Sequence, residues 1–275
     1  TTYGAVVSFS TPAAKPIVTT NLPTMITGTG ALLNGSANPG GASATGWFRY
    51  ATTSPGTCND SFGTRAPSTG GASLGSGASA VVFSQSISGL SPNTTYYVCA
   101  LAANSSGTGV GSVYSFITPS PPTVSTAAAS SVSGTSATLN GSANPNRAAA
   151  TGWFRYATTN PGTCNDSFGS RAPLSGGTSL GSGTSSTSFY LPIAGLSTAT
   201  TYYFCAIASS SEGTAFGAVL SFTTATAPSV TTGVASSIAP SSATLGGSAN
   251  PNGASSTAWF HYGTTNPGTC SDSFG

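Results

Sequence analysis

The residues that could do chemistry in this 275-residue chain are few: five cysteines, four acids and one histidine. Cys58, Cys164 and Cys270 share the context Gly-Thr-Cys-Asn/Ser-Asp-Ser-Phe-Gly, and Cys99 and Cys205 share Thr-Tyr-Tyr-Val/Phe-Cys-Ala. A thiol can pair, ligate a metal or attack a substrate. There is no Cys-x-x-Cys, and His261 is not matched by a histidine at the equivalent positions, which argues against a metal site. The acids recur as Asp60, Asp166 and Asp272, one in each copy of the motif. A single carboxylate cannot supply the acid and base pair of a glycosidase, and Ser61 has no matching His or Lys to activate it. The Asp reads as a turn residue that caps backbone N–H groups or pairs with Arg65, or with Arg171 in the next copy; calcium ligation is the alternative. Gly70-Gly71 is not followed by Lys-Ser/Thr and opens no helix, so it is no phosphate loop. No catalysis and no cofactor are expected.

The elements that carry these residues repeat. Residues 45–63 read TGWFRYATTSPGTCNDSFG, residues 151–169 differ only in Asn160 for Ser54, and residues 257–275 read TAWFHYGTTNPGTCSDSFG. The period, from Cys58 to Cys164, is 106 residues. That is the size of a whole small domain, so the chain is an array of similar beads. Residues 2–9 (TYGAVVSF) resemble 215–222 (AFGAVLSF), the end of a repeat. The expected organisation is therefore the last strand of a preceding repeat over 1–13, full repeats over 14–119 and 120–225, and the first half of another over 226–275, a window on a longer polymer.

Composition narrows the class. Charged residues make up 4%, with a net charge of +2, against about a quarter in ordinary soluble domains. No basic stripe exists to neutralise phosphates, so nucleic acid is not an expected partner. No apolar run reaches the roughly 20 residues of a membrane span, and no basic-then-apolar leader stands at the start. Low charge with many Gly and Ser can also mean disorder. Against that, apolar residues alternate in strand-length runs and aromatics recur at fixed places. Residues 31–37, 45–52, 81–87, 94–103 and 113–118 read as strands, divided by Asn-Pro-Gly-Gly, Ser-Pro-Gly and Ser-Pro-Asn turns. Seven or so short strands in about 100 residues, none separated by a helix, predict a β-sandwich.

One segment carries a more specific likeness. Gly89, Leu90, Pro92, Thr94 and Tyr96, followed by Val98, Ala100, Ala102 and Asn104, resemble the G-L-x-P-x-T-x-Y signature of fibronectin type III domains. The second copy gives Gly195, Leu196, Thr200, Tyr202, Phe204, Ala206 and Ala208, with Thr198 in place of the proline. The closing Ser-Phe-Ile/Thr-Thr of 115–118 and 221–224 is similar to the family's last strand. The resemblance implies an all-β chain of tandem immunoglobulin-like (fibronectin type III-like) β-sandwiches, with Tyr96 and Tyr202 as tyrosine corners. No tryptophan stands in the second strand and a cysteine pair has been added, which implies a variant core.

Alternation then divides the faces. With Tyr96, Val98, Ala100 and Ala102 inward, Tyr97, Cys99 and Leu101 point outward. Matching the family places Phe48 and Tyr50 inward, leaving Trp47 and Arg49 outside beside them, and Trp153, Arg155 and Tyr203 likewise in the second copy. So much apolar surface needs a cover. Residues 54–77 can provide it if Cys58 bonds Cys99, and Cys164 bonds Cys205, drawing the loop back across the sheet. Arg49 and Arg155 are expected near the aromatic surface, in cation–π range. Disulfides imply an extracellular setting, secreted or at a cell surface.

Two functional classes follow. One is a structural repeat protein that self-associates into an extracellular fibre, sheath or surface filament, favoured by near-identical beads, low charge and short Pro-containing linkers at 118–122 and 224–228. The other is an adhesin stalk, or a spacer or carbohydrate-binding array of a secreted enzyme. Sequons such as Asn34-Gly35-Ser36 and Asn93-Thr94-Thr95 would allow glycosylation, and glycans or cell-surface material are further candidate partners. A ligand-binding module would vary one loop from bead to bead, and no such loop is seen.

Overall fold

A chain this rich in β-branched, aromatic and turn residues satisfies its backbone between strands, not within helices. The computed structural model describes residues 1–8 and 12–273, and every regular element among them is a strand. Among the described residues no helix is long and apolar enough to cross a membrane. The first repeat contains β1 (Ile17–Thr24), β2 (Gly30–Asn38), β3 (Ala44–Ala51), β4 (Thr64–Ala66), β5 (Ala72–Gly75), β6 (Val81–Ser88), β7 (Thr95–Asn104), β8 (Gly107–Val110) and β9 (Tyr114–Ile117). The second repeats the series as β10 (Thr123–Ser130), β11 (Ser136–Asn144), β12 (Ala150–Ala157), β13 (Ser170–Ala172), β14 (Thr178–Gly181), β15 (Thr187–Ala194), β16 (Thr201–Ser210), β17 (Gly213–Phe216) and β18 (Leu220–Thr223).

In the first repeat β1, β2 and β6 form one antiparallel sheet. The other runs β4-β3-β7-β8, with β5 also on β3 and β9 also on β7. The second repeat has the same order. The two full repeats are thus tandem immunoglobulin-like, fibronectin type III-like β-sandwiches with one disulfide each. The period-2 pattern does the sorting. Along β2 every second residue is buried, Ala31, Leu33, Gly35 and Ala37 facing Phe48, Val98, Ala100 and Ala102 of the opposite sheet.

The missing tryptophan of β2 is made up by aromatics from elsewhere: Phe48 and Phe83 pack with ring centroids 4.9 Å apart, and Phe154 and Phe189 at 5.0 Å. Gly35 lets the sheets close over them, since a Cβ there would stand 2.9 Å from the Ala100 Cβ. Thr20, buried between the sheets, accepts the Ala100 N–H on its Oγ1 at 2.9 Å, and Thr126 does the same for Ala206 at 3.0 Å. Burial, and then the neighbouring Tyr96, pushes the Tyr50 phenol above its usual range.

The turn before β7 closes on Tyr96, whose phenol oxygen accepts the Ser91 N–H at 3.0 Å; Tyr202 accepts that of Ser197 at the same distance. The hydroxyl is therefore an acceptor from the turn. Buried Thr118 completes the corner, donating to the Ser91 carbonyl at 2.7 Å and accepting the Thr94 N–H at 3.0 Å.

The sequence-predicted strands lie on β2, β3, β6, β7 and β9, with ends moved by a residue or two. At the chain's two ends the elements are weaker. Residues 1–8 hold no strand and are exposed, and the rest of the expected strand, at 9–11, lies outside the described residues. In the third copy β19 (Ser229–Thr232) pairs β22 (Gly247–Asn250), and β20 (Ser236–Ala239) pairs β21 (Ser242–Thr244). The segment matching β3, at 257–262, is not a strand, and no strand among the described residues pairs with it. Residues 274–275 of this copy lie outside the described residues.

Candidate functional site

The outer face of the β3–β7 pair is where the recurring residues meet. β7 is buried on both sides: Val98, Ala100 and Ala102 enter the sandwich core, while Cys99 and Leu101 join Trp47 and Phe62 in a second apolar cluster outside it. Register makes this inevitable, with Trp47 opposite Leu101 and Arg49 opposite Cys99. Tyr97 packs half-buried against the same cluster.

The loop after β3 covers that cluster. Cys58 is bonded to Cys99, and Cys164 to Cys205, each with Cα atoms 6.0 Å apart and a sequence separation of 41. The Asn59 side chain caps its own turn, accepting the Ser61 N–H at 3.0 Å and the Ser61 hydroxyl at 2.7 Å. This turn points Phe62 down onto the sheet, where it is buried, and holds Asp60 above the strand. Gly63 ends the loop at φ 49° with its Cα against the Tyr50 carbonyl, a place where any side chain would collide with backbone.

Asp60 ties loop to sheet. Its Oδ1 accepts the Trp47 indole N–H at 2.9 Å and the Arg49 Nε–H at 3.0 Å, and Arg49 donates a further bond to the Gly63 carbonyl at 3.2 Å. In the second repeat Asp166 accepts from Trp153 at 2.8 Å and Arg155 at 3.0 Å, and Arg155 reaches the Gly169 carbonyl at 3.3 Å. Burial is the largest single influence on Asp166 and opposes its ionisation. The Trp153 and Arg155 hydrogen bonds with the Arg155 and Arg171 charges outweigh it, holding the carboxyl below its usual range.

Two expectations about arginines are corrected here. The cation over Trp47 is Arg65, its guanidinium carbon 4.7 Å from the ring centroid, and over Trp153 it is Arg171 at 4.6 Å. Arg49 and Arg155 instead hold the aspartate, in place of the expected Arg65 and Arg171. The cause is register: Arg49 stands directly opposite Arg65, and Arg155 opposite Arg171. Like charges in such a pair repel, so one turns to the carboxylate and the other folds over the indole. Arg65 is fixed there by the carbonyls of Pro67 and Gly70. Phe62 and Phe168 were not singled out in the sequence. Their signal was their recurrence in every copy that reaches them.

The third copy keeps part of this arrangement. Trp259 donates to Asp272 at 3.0 Å, and His261 takes the arginine's place at 3.1 Å. Among the described residues Cys270 is exposed and has no disulfide partner. Trp259 is 61% exposed, against 6% for Trp47 and 8% for Trp153.

Chemically this is a clasp. The carboxylate oxygen that could act or ligate is already shared by an indole and a guanidinium, and an arginine beside it is a poor companion for a cation. Among the described residues no three His, Cys, Asp or Glu side chains cluster.

The repeats also touch. Glu212, in the turn between β16 and β17, accepts the Gly28 N–H of the first repeat at 2.7 Å, and a Cβ at Gly28 would meet that carboxylate. The matching residue of the first repeat is Ser106, so this contact is particular to its junction.

No protein-family model matches the chain, and no curated protein matches it. Among solved structures it is similar to the sensor domain of the anti-sigma factor RsgI4 of Pseudobacteroides cellulosolvens, at 19% identity and a TM-score of 0.26, covering 38% of this chain and 88% of that one. It is also similar to the FN1-FN3 domains of chicken CNTN1, at 15% identity and a TM-score of 0.29, covering 78% of this chain and 69% of that one. The fold follows from strand order and register, independently of these likenesses.

Proposed function

We propose that the chain belongs to an extracellular structural protein whose tandem sandwiches self-associate into a fibre, sheath or surface filament, without a catalytic part. The disulfides support the compartment, since such bonds persist where thiols are not kept reduced. The observation that carries the reading is the division of each full bead into two unlike sheets. All the charge on its strands lies on the clasp side, at Arg49 and Arg65 or Arg155 and Arg171, while β1, β2, β6 and their copies β10, β11 and β15 bear none. An uncharged face that returns with every repeat meets its own copies without electrostatic repulsion. Contacts that recur along a stiff array and do not close into a ring extend it. The Gly28–Glu212 bond and the Pro-containing linker support stiffness at the first junction.

The same junction serves a stiff spacer or stalk, which is the second reading. Scattering and electron microscopy of the whole chain across a concentration series separate the two. Filaments or lateral bundles are expected; a strictly monomeric chain at high concentration gives the spacer reading instead.

A further inference from the structure

Every open sheet has edges, and each edge is a row of unpaired N–H and C=O groups that another strand can complete. Proteins usually blunt them with short strands, bulges, proline or charge. Most edges here follow that rule. The clasp-side sheet ends in β4, β5, β8 and β9, none longer than four residues. β1 carries Pro23 and a register shift between Asn21 and Thr24. β6 does not follow it. It runs eight residues, VVFSQSIS, with no proline, no charge and an unbroken register against β2 from Val81 to Ser88. Among the described residues no backbone hydrogen bond reaches its other side. Val82, Ser84, Ser86 and Ser88 are exposed along it.

The second repeat supplies the contrast. Its copy of this edge, β15, has Pro192 at the position of Ser86. The ladder passes through Thr138 and Pro192 without a shift, just as it passes through Leu32 and Ser86. A proline inside an unbroken ladder has its missing N–H on the free side. Ser86 therefore presents its N–H outward, and by the alternation of an antiparallel strand so do Val82, Ser84 and Ser88. Pro192 blocks in one bead the position that its neighbour leaves open.

We propose that β6 is a homotypic docking edge: it pairs antiparallel with β6 of a second copy of this chain, Val82 meeting Ser88 and Ser84 meeting Ser86. The product is a continuous six-stranded sheet across a two-fold axis. The facing outer side chains are small, and no charged residue lies on β1, β2 or β6 to oppose the approach. A low-charge run of this length with β-branched and aromatic residues is of the kind that pairs with itself. The pairing bridges chains at the first repeat and not at the second. It rests on the reading that the chain self-associates and names one lateral contact, which joins two chains as a closed pair; extension along the array needs the recurring faces besides.

The test exchanges the two residues in the whole chain. Ser86→Pro puts into the first repeat what the second already accommodates, so its fold is retained. Sedimentation is expected to show association weakened at least roughly tenfold, from the loss of two backbone bonds and the ring's obstruction. Pro192→Ser is expected to strengthen it. In the unaltered chain, hydrogen exchange of Val82, Ser84, Ser86 and Ser88 slows with concentration. Ser84→Lys, which charges the same edge, gives the same reading should Ser86→Pro unfold. Association of both Ser86→Pro and Ser84→Lys equal to the unaltered chain overturns the edge while leaving self-association standing. An unaltered chain that stays monomeric overturns both.

Discussion

Replacing Cys58 and Cys99 together by alanine should destabilise the first repeat by about 4 kcal/mol while sparing the second. That is the entropy of closing a loop of this length in the unfolded chain. Alanine at Cys99, which is fully buried, adds a small cavity, so the figure is a floor on that account. At about 1.4 kcal/mol per tenfold, the core amides of β7 should exchange on the order of 1,000 times faster, while those of β16 keep their rate. Mass-spectrometric hydrogen exchange reads both repeats in one sample, the second serving as the reference. Acceleration of less than tenfold would refute the reasoning. It would mean that Asp60, Trp47, Arg49 and buried Phe62 hold the loop without the bond. Equal acceleration of β16 would show instead that the beads open as one unit.

The tryptophans give a simpler check. A small neutral quencher should reach Trp259 readily and Trp47 and Trp153 poorly, so about one third of the emission should quench steeply; ready quenching of all three contradicts the covered face. The Asp166 carboxyl, held below its usual range in the fold, contributes stability that is fully present above the unfolded value and lost as pH falls through the folded one. Below about pH 4, thermal unfolding of the second repeat should therefore lose stability, and Asp166→Asn should flatten that part of the profile, whereas an unchanged slope would remove the aspartate from the account.

The architecture was legible because the strands that build it announce themselves twice, by alternation and by repetition. Tyr96, Val98, Ala100 and Ala102 face the core as their period requires, and the outer set of Trp47, Cys99 and Leu101 follows from the same parity. Parity assigns a face and not a partner. Arg49 and Arg65 share one face, and which of them took Asp60 depended on a cross-strand register that no spacing reveals. β1 was hidden because its sequence, IVTTNLPT, buries only Thr20 fully and mixes polar residues with a proline. Glu212 was not singled out, because its partner, the Gly28 N–H, is 184 residues away and carries no side chain to signal it.

The clasp has a mechanical consequence. A chain under tension is pulled through its ends, and a sandwich that gives way lengthens by the residues it releases. The bond from Cys58 to Cys99, with a sequence separation of 41, withholds the residues between its partners from that release. Of the 106 residues of the period, about 65 can then extend, on the order of 230 Å at about 3.5 Å per residue, where an unbonded bead would yield roughly 370 Å. The withheld segment contains β4, β5 and β6 and most of the covering loop, closed as a ring after the remainder has been drawn out. Drawn out from its ends, each full repeat would thus lengthen to a fixed stop.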